Sequence, residues 1–197
     1  MSILLADILP LLETPEIWGN TEILIEGVSH DSRRVAPHFA FVAIVGEKVD
    51  GHDFVFKAAQ SGASVIIAEK KPPENFDIKI AWVRVKNSRR VLGPIASSIY
   101  GKPSDRMRLI GITGTNGKTT TTFLLEAILN AANYVPGIIG TISHKWPGAE
   151  ISASNTTPEA SDIQKMLADM RHEKAGIVNW LIEGRKQAKI KIASRFN

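Results

Sequence analysis

The chain reads Leu109-Ile110-Gly111-Ile112-Thr113-Gly114-Thr115-Asn116-Gly117-Lys118-Thr119-Thr120 at the point that decides its fold. A short apolar run enters a glycine-rich loop, and the loop leads into a segment with helical apolar spacing, residues 123–131. Glycines let successive backbone N–H groups turn towards phosphates, and the N-terminus of the following helix adds partial positive charge. The stretch therefore predicts a strand, a phosphate-binding loop and a helix in an α/β fold.

The loop ends on a lysine and a threonine, the residue types that a nucleoside-triphosphate site requires. Lys118 would contact the β- and γ-phosphates, and the Thr119 hydroxyl would coordinate Mg²⁺. The usual spacing G-x-x-x-x-G-K-[ST] is not kept, because Ile112 stands where the first glycine is expected. A glycine-rich turn without a ligand is the alternative, but the predicted strand and helix favour a site for ATP and Mg²⁺. The residues of this site are Gly114, Thr115, Asn116, Gly117, Lys118, Thr119 and Thr120.

Residues 114–120 closely resemble the ATP loop of the Mur ligases, which form amide bonds at the expense of ATP in peptidoglycan precursor synthesis. Folylpolyglutamate synthetases share that fold and have a similar loop, but usually with Gly-Ser after the lysine. Thr119 and Thr120 therefore favour a Mur ligase. The resemblance implies ATP and Mg²⁺ as cofactors and gives Lys118 the catalytic role of stabilising the transferring charge.

The composition is that of a globular chain able to bury a core, with 197 residues and 44% hydrophobic content. This length suggests one or two domains. No run of 18 apolar residues is present, and the N-terminus lacks a basic leader, so we expect neither a membrane span nor a signal peptide. The absence of cysteine agrees with a cytoplasmic location.

The excess of positive over negative charge is confined to the C-terminal end of the sequence. Five of the 24 basic residues and one of the 20 acidic residues lie in 177–197, which leaves 19 of each in 1–176. A basic stripe interleaved with aromatic residues, which is typical of nucleic-acid binding, is not visible in 1–176. We therefore expect no nucleic-acid partner.

Alternating strand and helix patterns divide the chain at Tyr100-Gly101-Lys102-Pro103, a helix stop. The first domain, 1–103, is predicted to hold a short helix or helical turn within 2–12 that ends near Pro10, and helices at 53–60 and from Asn87 onward. Its predicted strands are 22–28, 39–45, 65–68 and 80–85. The second, from 104, is predicted as strand 109–112, helix 119–132, strand 135–141, an irregular loop and helix 158–171. This is a βαβ unit followed by a further helix, the start of a mostly parallel sheet.

Three further motifs extend the resemblance, in the order in which the family has them. The turn His30-Asp31-Ser32-Arg33 resembles a motif of the first domain that holds the uridine end of the substrate. Residues 46–51 keep the frame Gly-x-x-x-Asp-Gly of the next uridine-binding stretch. Asn155-Thr156-Thr157-Pro158-Glu159 resembles a segment that contacts UDP-MurNAc-dipeptide, and by itself it predicts a helix start with Thr157 as cap. The implied substrate-binding residues are His30, Ser32, Glu47, Lys48, Val49, Asn155, Thr156 and Thr157.

Within this family, the motifs most resemble those of the ligases that add the third stem-peptide residue. It implies an N-terminal uridine-binding α/β domain followed by an incomplete P-loop central domain. The implied substrates are UDP-MurNAc-dipeptide and an amino acid, either diaminopimelate or lysine, and a monomer is expected. Two alternatives stay open: another ligase of this fold, either D-Ala-D-Ala-adding or folylpolyglutamate-forming, and a non-catalytic module that binds a nucleotide or UDP-sugar.

The sequence after Gly176 is expected to depart from the family. Members of the family have three further features after this point: a Glu that ligates Mg²⁺, a carbamylated lysine and a domain that selects the amino acid. No residues after Gly176 match these features. Residues 177–197 are therefore interpreted as a non-matching basic tail, either a replaced sequence or the interaction tail of a short paralogue. With only two convincing strands, 104–176 is expected to be partly disordered or aggregation-prone, and the 197 residues alone are expected not to ligate.

Overall fold

A computed structural model describes residues 2–47, 49–76, 79–114, 116–153 and 158–181 of the chain. The chain divides into two units, Met1–Gly101 and Lys102–Asn197, where the sequence places the boundary after residue 103. Within the described residues, none of the helices is both long enough and apolar enough to cross a membrane.

Unit 1 is built on a five-stranded sheet of order β2-β7-β6-β5-β4. Strands β4 to β7 are parallel, β2 pairs antiparallel with β7, and β1 and β3 form a separate antiparallel pair. The elements of this unit are β1 Ile3–Leu4, α1 Leu5–Ile8, β2 Glu16–Trp18, β3 Leu24–Ile25, β4 Gly27–Ser29, β5 Phe39–Val42, α2 Val55–Gln60, β6 Ala63–Ala68, β7 Ala81–Arg84 and α3 Ser88–Ile99.

The core of unit 1 lies between this sheet and the helices. Phe41, Ile66 and Trp82 are almost fully buried in one cluster, and Phe76 meets Trp82 edge-on at a ring-centroid distance of 4.9 Å. Helix α3 begins as its sequence predicts, because the Asn87 side chain accepts a hydrogen bond from the Arg90 N–H at 2.8 Å.

Two predictions for unit 1 need correction. The predicted helix 2–12 starts with a short strand, β1, because Ile3 and Leu4 pair with β3. The predicted strand 22–28 is two strands, since β3 pairs with β1 whereas β4 pairs with β5. The chain changes sheet at Glu26, whose N–H donates to the His38 carbonyl. Both differences arise from pairing with partner strands, which the local sequence pattern does not reveal.

Unit 2 carries a second five-stranded sheet, of order β11-β10-β9-β12-β8. Strands β9, β12 and β8 are parallel, and β10 runs antiparallel to both of its neighbours. The elements of this unit are β8 Arg108–Ile112, α4 Lys118–Ala131, β9 Pro136–Ile139, β10 Ser143–Trp146, β11 Ala149–Ser152, α5 Ala160–His172 and β12 Ile177–Leu181.

Strand β12 contradicts the predicted start of the tail. Ile177–Leu181 is inserted between β8 and β9 and pairs with both, so this segment is a central strand of the sheet. Val178 is fully buried and packs in one core cluster with Leu167 and Met170 of α5. The prediction that this unit has only two strands is therefore wrong. The rest of the predicted tail, 182–197, lies outside the described residues.

The predicted irregular loop after β9 is also corrected, because it holds the hairpin β10–β11. Pro147 and Gly148 form its turn, and Gly148 has a φ of 81°, a conformation that favours glycine. Helix α5 starts at Ala160 with Glu159 at its N-cap and no side-chain cap, so Pro158 precedes the helix instead of lying in its first turn. The predicted cap, Thr157, lies outside the described residues.

Candidate functional site

The glycine-rich loop joins the end of β8 to the first turn of α4. Gly114 has a φ of 153° and Gly117, the N-cap of α4, has a φ of 78°, and glycine adopts both conformations readily. A Cβ atom at Gly117 would meet nothing within 4 Å, and at Gly114 it would meet only the Asn116 carbonyl oxygen, at 3.6 Å. The space around both glycines is open, so the backbone conformation, and not close packing, explains why glycine occupies these two positions. Thr115 lies outside the described residues.

The Lys118 side chain folds back across this loop. Its Nζ donates to the Gly114 carbonyl oxygen at 2.6 Å, which places the ammonium group over the loop backbone. The first hydrogen bond of α4 runs from the Thr121 N–H to the Gly117 carbonyl at 2.9 Å. The N–H groups before it have no acceptor within a helix and carry the positive end of the helix dipole. A cation and a helix N-terminus thus meet at one loop, the chemistry of an anion site.

A cavity of about 150 Å³ opens beside the first turn of α4. Thr119, the predicted Mg²⁺ ligand, lies at its wall, and the hairpin β10–β11 forms another wall. The lining residues are Thr119, Thr122, Phe123, Ile138, Gly140, Thr141, Ile142, Ser143, Lys145 and Glu150. The hairpin residues were missed by sequence reasoning, and the Pro147-Gly148 turn was the signal that could have found them.

Two charged side chains of the hairpin have fixed partners. Lys145 Nζ lies 2.8 Å from Glu126 Oε1 of α4, and this hydrogen bond raises the pKa of Lys145. Glu150 Oε1 accepts from the Ser143 hydroxyl at 3.0 Å. In the part of the chain that the structure describes, no group of three or more His, Cys, Asp or Glu side chains could hold a metal ion. The role of Thr119 towards Mg²⁺ remains a prediction.

In unit 1, the predicted uridine turn is a tight structure after β4. Asp31 accepts from the Arg33 N–H at 3.0 Å and pairs with the Arg33 guanidinium at 2.7 Å, which lowers the pKa of Asp31 to about 2. The Ser29 hydroxyl accepts from the Asp31 N–H at 3.0 Å. Ser32 is buried at the start of the 3₁₀ turn Ser32–Arg34, and His30 is half-buried beside it.

The second predicted uridine segment, 46–51, is a loop that closes on its own backbone. The Gly46 N–H donates to the Val49 carbonyl, and the Gly51 N–H donates to the Ile44 carbonyl, both at 2.9 Å. A Cβ at Gly51 would come within 2.6 Å of the Ile44 nitrogen, so only glycine allows this approach. Glu47 and Val49 are exposed at the tip, and Lys48 lies outside the described residues.

Asp50 and His52 close the base of this loop. Asp50 Oδ1 accepts from the His52 N–H at 2.9 Å and contacts His52 Nδ1 at 2.5 Å, while Oδ2 pairs with Lys70 Nζ at 2.8 Å. The hydrogen bond from Lys70 holds the pKa of Asp50 well below its usual range. Asp50 is therefore an anion that is bound on both oxygens.

The predicted site residues fall into two groups, one in each unit. His30 and Ser32 follow β4, and 46–51 follows β5. Because β4 and β5 are adjacent and parallel, both segments leave the same edge of the sheet, where α/β folds bind ligands. The phosphate loop forms the second group, in unit 2. Asn155, Thr156 and Thr157 lie outside the described residues.

Comparison with known families finds two matches, each within one unit. The "Mur ligase family, catalytic domain" matches residues 24–100, and the "Mur ligase middle domain" matches residues 112–188. The second match runs past Gly176, so the expectation that the resemblance stops at this residue is wrong.

Curated relatives carry one name in different bacteria, UDP-N-acetylmuramoyl-L-alanyl-D-glutamate–2,6-diaminopimelate ligase. The protein from Alkaliphilus metalliredigens is 41% identical over 170 residues, which are 86% of this chain and 34% of that protein. The protein from Clostridium tetani is 43% identical over 167 residues, 84% of this chain and 34% of that protein. The chain thus spans about a third of the length of these relatives.

The solved structures that resemble this chain include Mur ligases. A structure of a ligase with the same name covers 92% of this chain and 36% of its own, with a TM-score of 0.71 and 21% identity, and supports the fold. The MurF ligase from Thermotoga maritima, solved in complex with ADP, is 28% identical with a TM-score of 0.56, and covers 82% of this chain and 33% of its own.

Proposed function

Because this chain belongs to the Mur ligase family, we propose that it is part of an ATP-dependent ligase that adds the third amino acid to UDP-MurNAc-L-Ala-D-Glu. Relatives that cover most of this chain carry diaminopimelate in their name, and we propose diaminopimelate as that amino acid. We also propose a cytoplasmic monomer without a nucleic-acid or membrane partner.

The observation that carries this proposal is the phosphate loop. The Lys118 ammonium, the open glycine backbone and the N-terminus of α4 meet in one place, and the related MurF ligase is described in complex with ADP. The donor set fits ATP, because backbone N–H groups and one lysine suit a chain of phosphates. Bound Mg²⁺, held by Thr119, would add positive charge against the phosphates.

The proposed reaction has two steps. The substrate carboxylate attacks the γ-phosphorus of ATP, forming an acyl phosphate and releasing ADP. The amino group of the third residue then attacks the acyl carbon and releases inorganic phosphate and a proton. Lys118 would stabilise the negative charge that shifts towards the leaving ADP, and the loop N–H groups would orient the phosphates. Positioning and electrostatic stabilisation dominate phosphoryl transfer of this kind.

Unit 1 is proposed to bind the uridine end through His30, Ser32 and the loop 46–51. Titration of UDP into the ¹⁵N-labelled chain should shift the amide signals of 30–34 and 46–51. The signals of Gly114, Gly117 and Lys118 should shift with ATP–Mg²⁺ and should stay in place with UDP at the same concentration. A UDP response confined to the phosphate loop would contradict the uridine site.

The 197 residues alone are proposed to bind nucleotides without ligating. The chain spans about a third of its relatives, so two thirds of a family member's length lies outside it. An assay with ATP, UDP-MurNAc-dipeptide and either diaminopimelate or lysine, read by mass spectrometry, should yield no tripeptide product. Sustained turnover would contradict this proposal. Turnover with lysine but not with diaminopimelate would also contradict the choice of diaminopimelate.

A further inference from the structure

His52 connects the loop 46–51 to a neighbouring strand through both nitrogens of its ring. The side chain is buried, with 6% of its surface exposed. Nε2 lies 3.0 Å from the Glu69 backbone nitrogen, which donates to it. A backbone N–H can only donate, so Nε2 carries no proton, and the proton of the neutral ring resides on Nδ1, facing Asp50.

The network continues from Glu69 into helix α3. Glu69 directly follows β6, and its Oε1 accepts from the Ser88 N–H at 2.9 Å and from the Ser88 hydroxyl at 3.0 Å. Ser88, the first residue of α3, is fully buried. The base of the loop after β5 is thereby bound to the end of β6 and, through Glu69, to the start of α3.

Among the described residues of the loop, those at the tip are more exposed than those at the base. Val49 is 55% exposed and Glu47 is exposed as well, so burial contributes little to holding the tip in place. Its orientation depends on the base, where Gly51 closes on Ile44 and Asp50 is fixed by His52 and Lys70. Of these two partners only His52 is buried, since the Lys70 side chain is 63% exposed, and an exposed pair contributes little.

We propose that His52 is a positioning residue for uridine binding. In its Nδ1–H form it orients Asp50, and through Asp50 it holds 46–51 in the shape that receives the uridine end, without touching the ligand. The inference rests on the proposed uridine site. It assigns His52 a task distinct from filling the core, and that task depends on the ring proton.

The first test measures the tautomer in the full chain without ligand. Long-range ¹H–¹⁵N correlation spectra should place His52 Nδ1 in the protonated range and Nε2 in the unprotonated range. The opposite tautomer, or the averaged signals of a ring that exchanges freely with water, would overturn the inference.

The second test compares UDP affinities of matched variants by amide-shift titration. His52→Asn places an amide N–H where Nδ1–H lies and keeps the bond to Asp50, whereas His52→Gln places an acceptor towards Glu69 only. We expect about a tenfold loss of affinity in His52→Gln and His52→Ala, on the scale of one or two hydrogen bonds, and rescue to within about threefold in His52→Asn. Lys57→Met, at an exposed position of α2 outside this network, should change the affinity less than about threefold.

The outcomes separate this inference from the proposed function. If the wild-type chain binds UDP and the three His52 variants bind it equally well, the uridine site stands and the positioning role is overturned. If His52→Asn loses as much affinity as His52→Ala while its amide spectrum stays folded, the role of the Asp50 bond is overturned. If the wild-type chain shows no UDP response at all, the uridine site fails and the inference fails with it.

Discussion

Replacing Val178 by Asp is expected to abolish the cooperative folding of unit 2 while leaving unit 1 folded. Val178 is fully buried in the central strand β12, in the cluster that joins this strand to α5. An unpaired carboxylate in such a core costs several kcal/mol, comparable to the roughly 5–15 kcal/mol that stabilises a whole domain. In ¹⁵N-correlation spectra, the signals of unit 2 should collapse and those of unit 1 should stay dispersed.

The matched control for this change is Val135→Asp. Val135 belongs to the same unit but is 44% exposed. Substitutions at exposed positions usually change the free energy of unfolding by less than about 0.5 kcal/mol. If 177–197 were a tail detached from the sheet, the two variants would behave alike. A dispersed unit 2 spectrum in Val178→Asp would therefore contradict the assignment of β12 as a central strand.

The neighbouring position should respond in the opposite direction. Asn179 is fully buried, and neither atom of its amide has a hydrogen-bond partner among the residues that the structure describes. A buried amide without partners costs about 1–3 kcal/mol, and valine suits a strand. Asn179→Val should raise the urea midpoint of unit 2, and a lower midpoint would show that the amide is paired in solution.

Local sequence signals predicted those parts of the fold that local chemistry controls. Asn87 predicted the start of α3, because an N-cap depends on residues within one turn. The helix after the phosphate loop was predicted from the loop motif and the apolar spacing that follows it, which are also local signals, and α4 starts one residue before its predicted bound. By contrast, β12 is a five-residue segment whose apolar residues are interrupted by Asn179, so its local signal is weak. Its place between β8 and β9 depends on partners about 40 and 70 positions earlier in the chain.

The residues of the candidate site also differ in whether they are neighbours in the sequence. Lys118 and its loop are contiguous in sequence, so the motif was sufficient to predict the strand, loop and helix that place them, while their role towards ATP remains a prediction. His52 and Glu69 are 17 residues apart, and Glu69 and Ser88 are 19 apart, so their network exists only once β5, β6 and α3 have come together. The wall of the cavity was missed because the hairpin β10–β11 is signalled only by Pro147-Gly148.

Lys118→Ala is expected to weaken the binding of ATP–Mg²⁺ about ten- to a hundredfold. The substitution removes the ammonium group that lies over the loop, and a charge-assisted contact to phosphate contributes roughly 1.5–3 kcal/mol. In the free protein this ammonium is bound to the Gly114 carbonyl at 2.6 Å. ATP must replace that bond, so the net loss should fall below the value for an unpaired lysine. Calorimetric titration of both proteins measures the difference.

AMP separates a phosphate contact from damage to the loop. The proposed partners of Lys118 are the β- and γ-phosphates, which AMP lacks, so Lys118→Ala should change the AMP affinity less than about threefold. Lys165→Ala serves as the matched control, because Lys165 is exposed on α5 and pairs only weakly, at 3.4 Å, with Asp169. An equal loss for AMP and ATP would show that the substitution distorts the loop. Unchanged ATP affinity would contradict the proposed site, because phosphates bound at this loop would lose a charge-assisted contact when the ammonium group is removed.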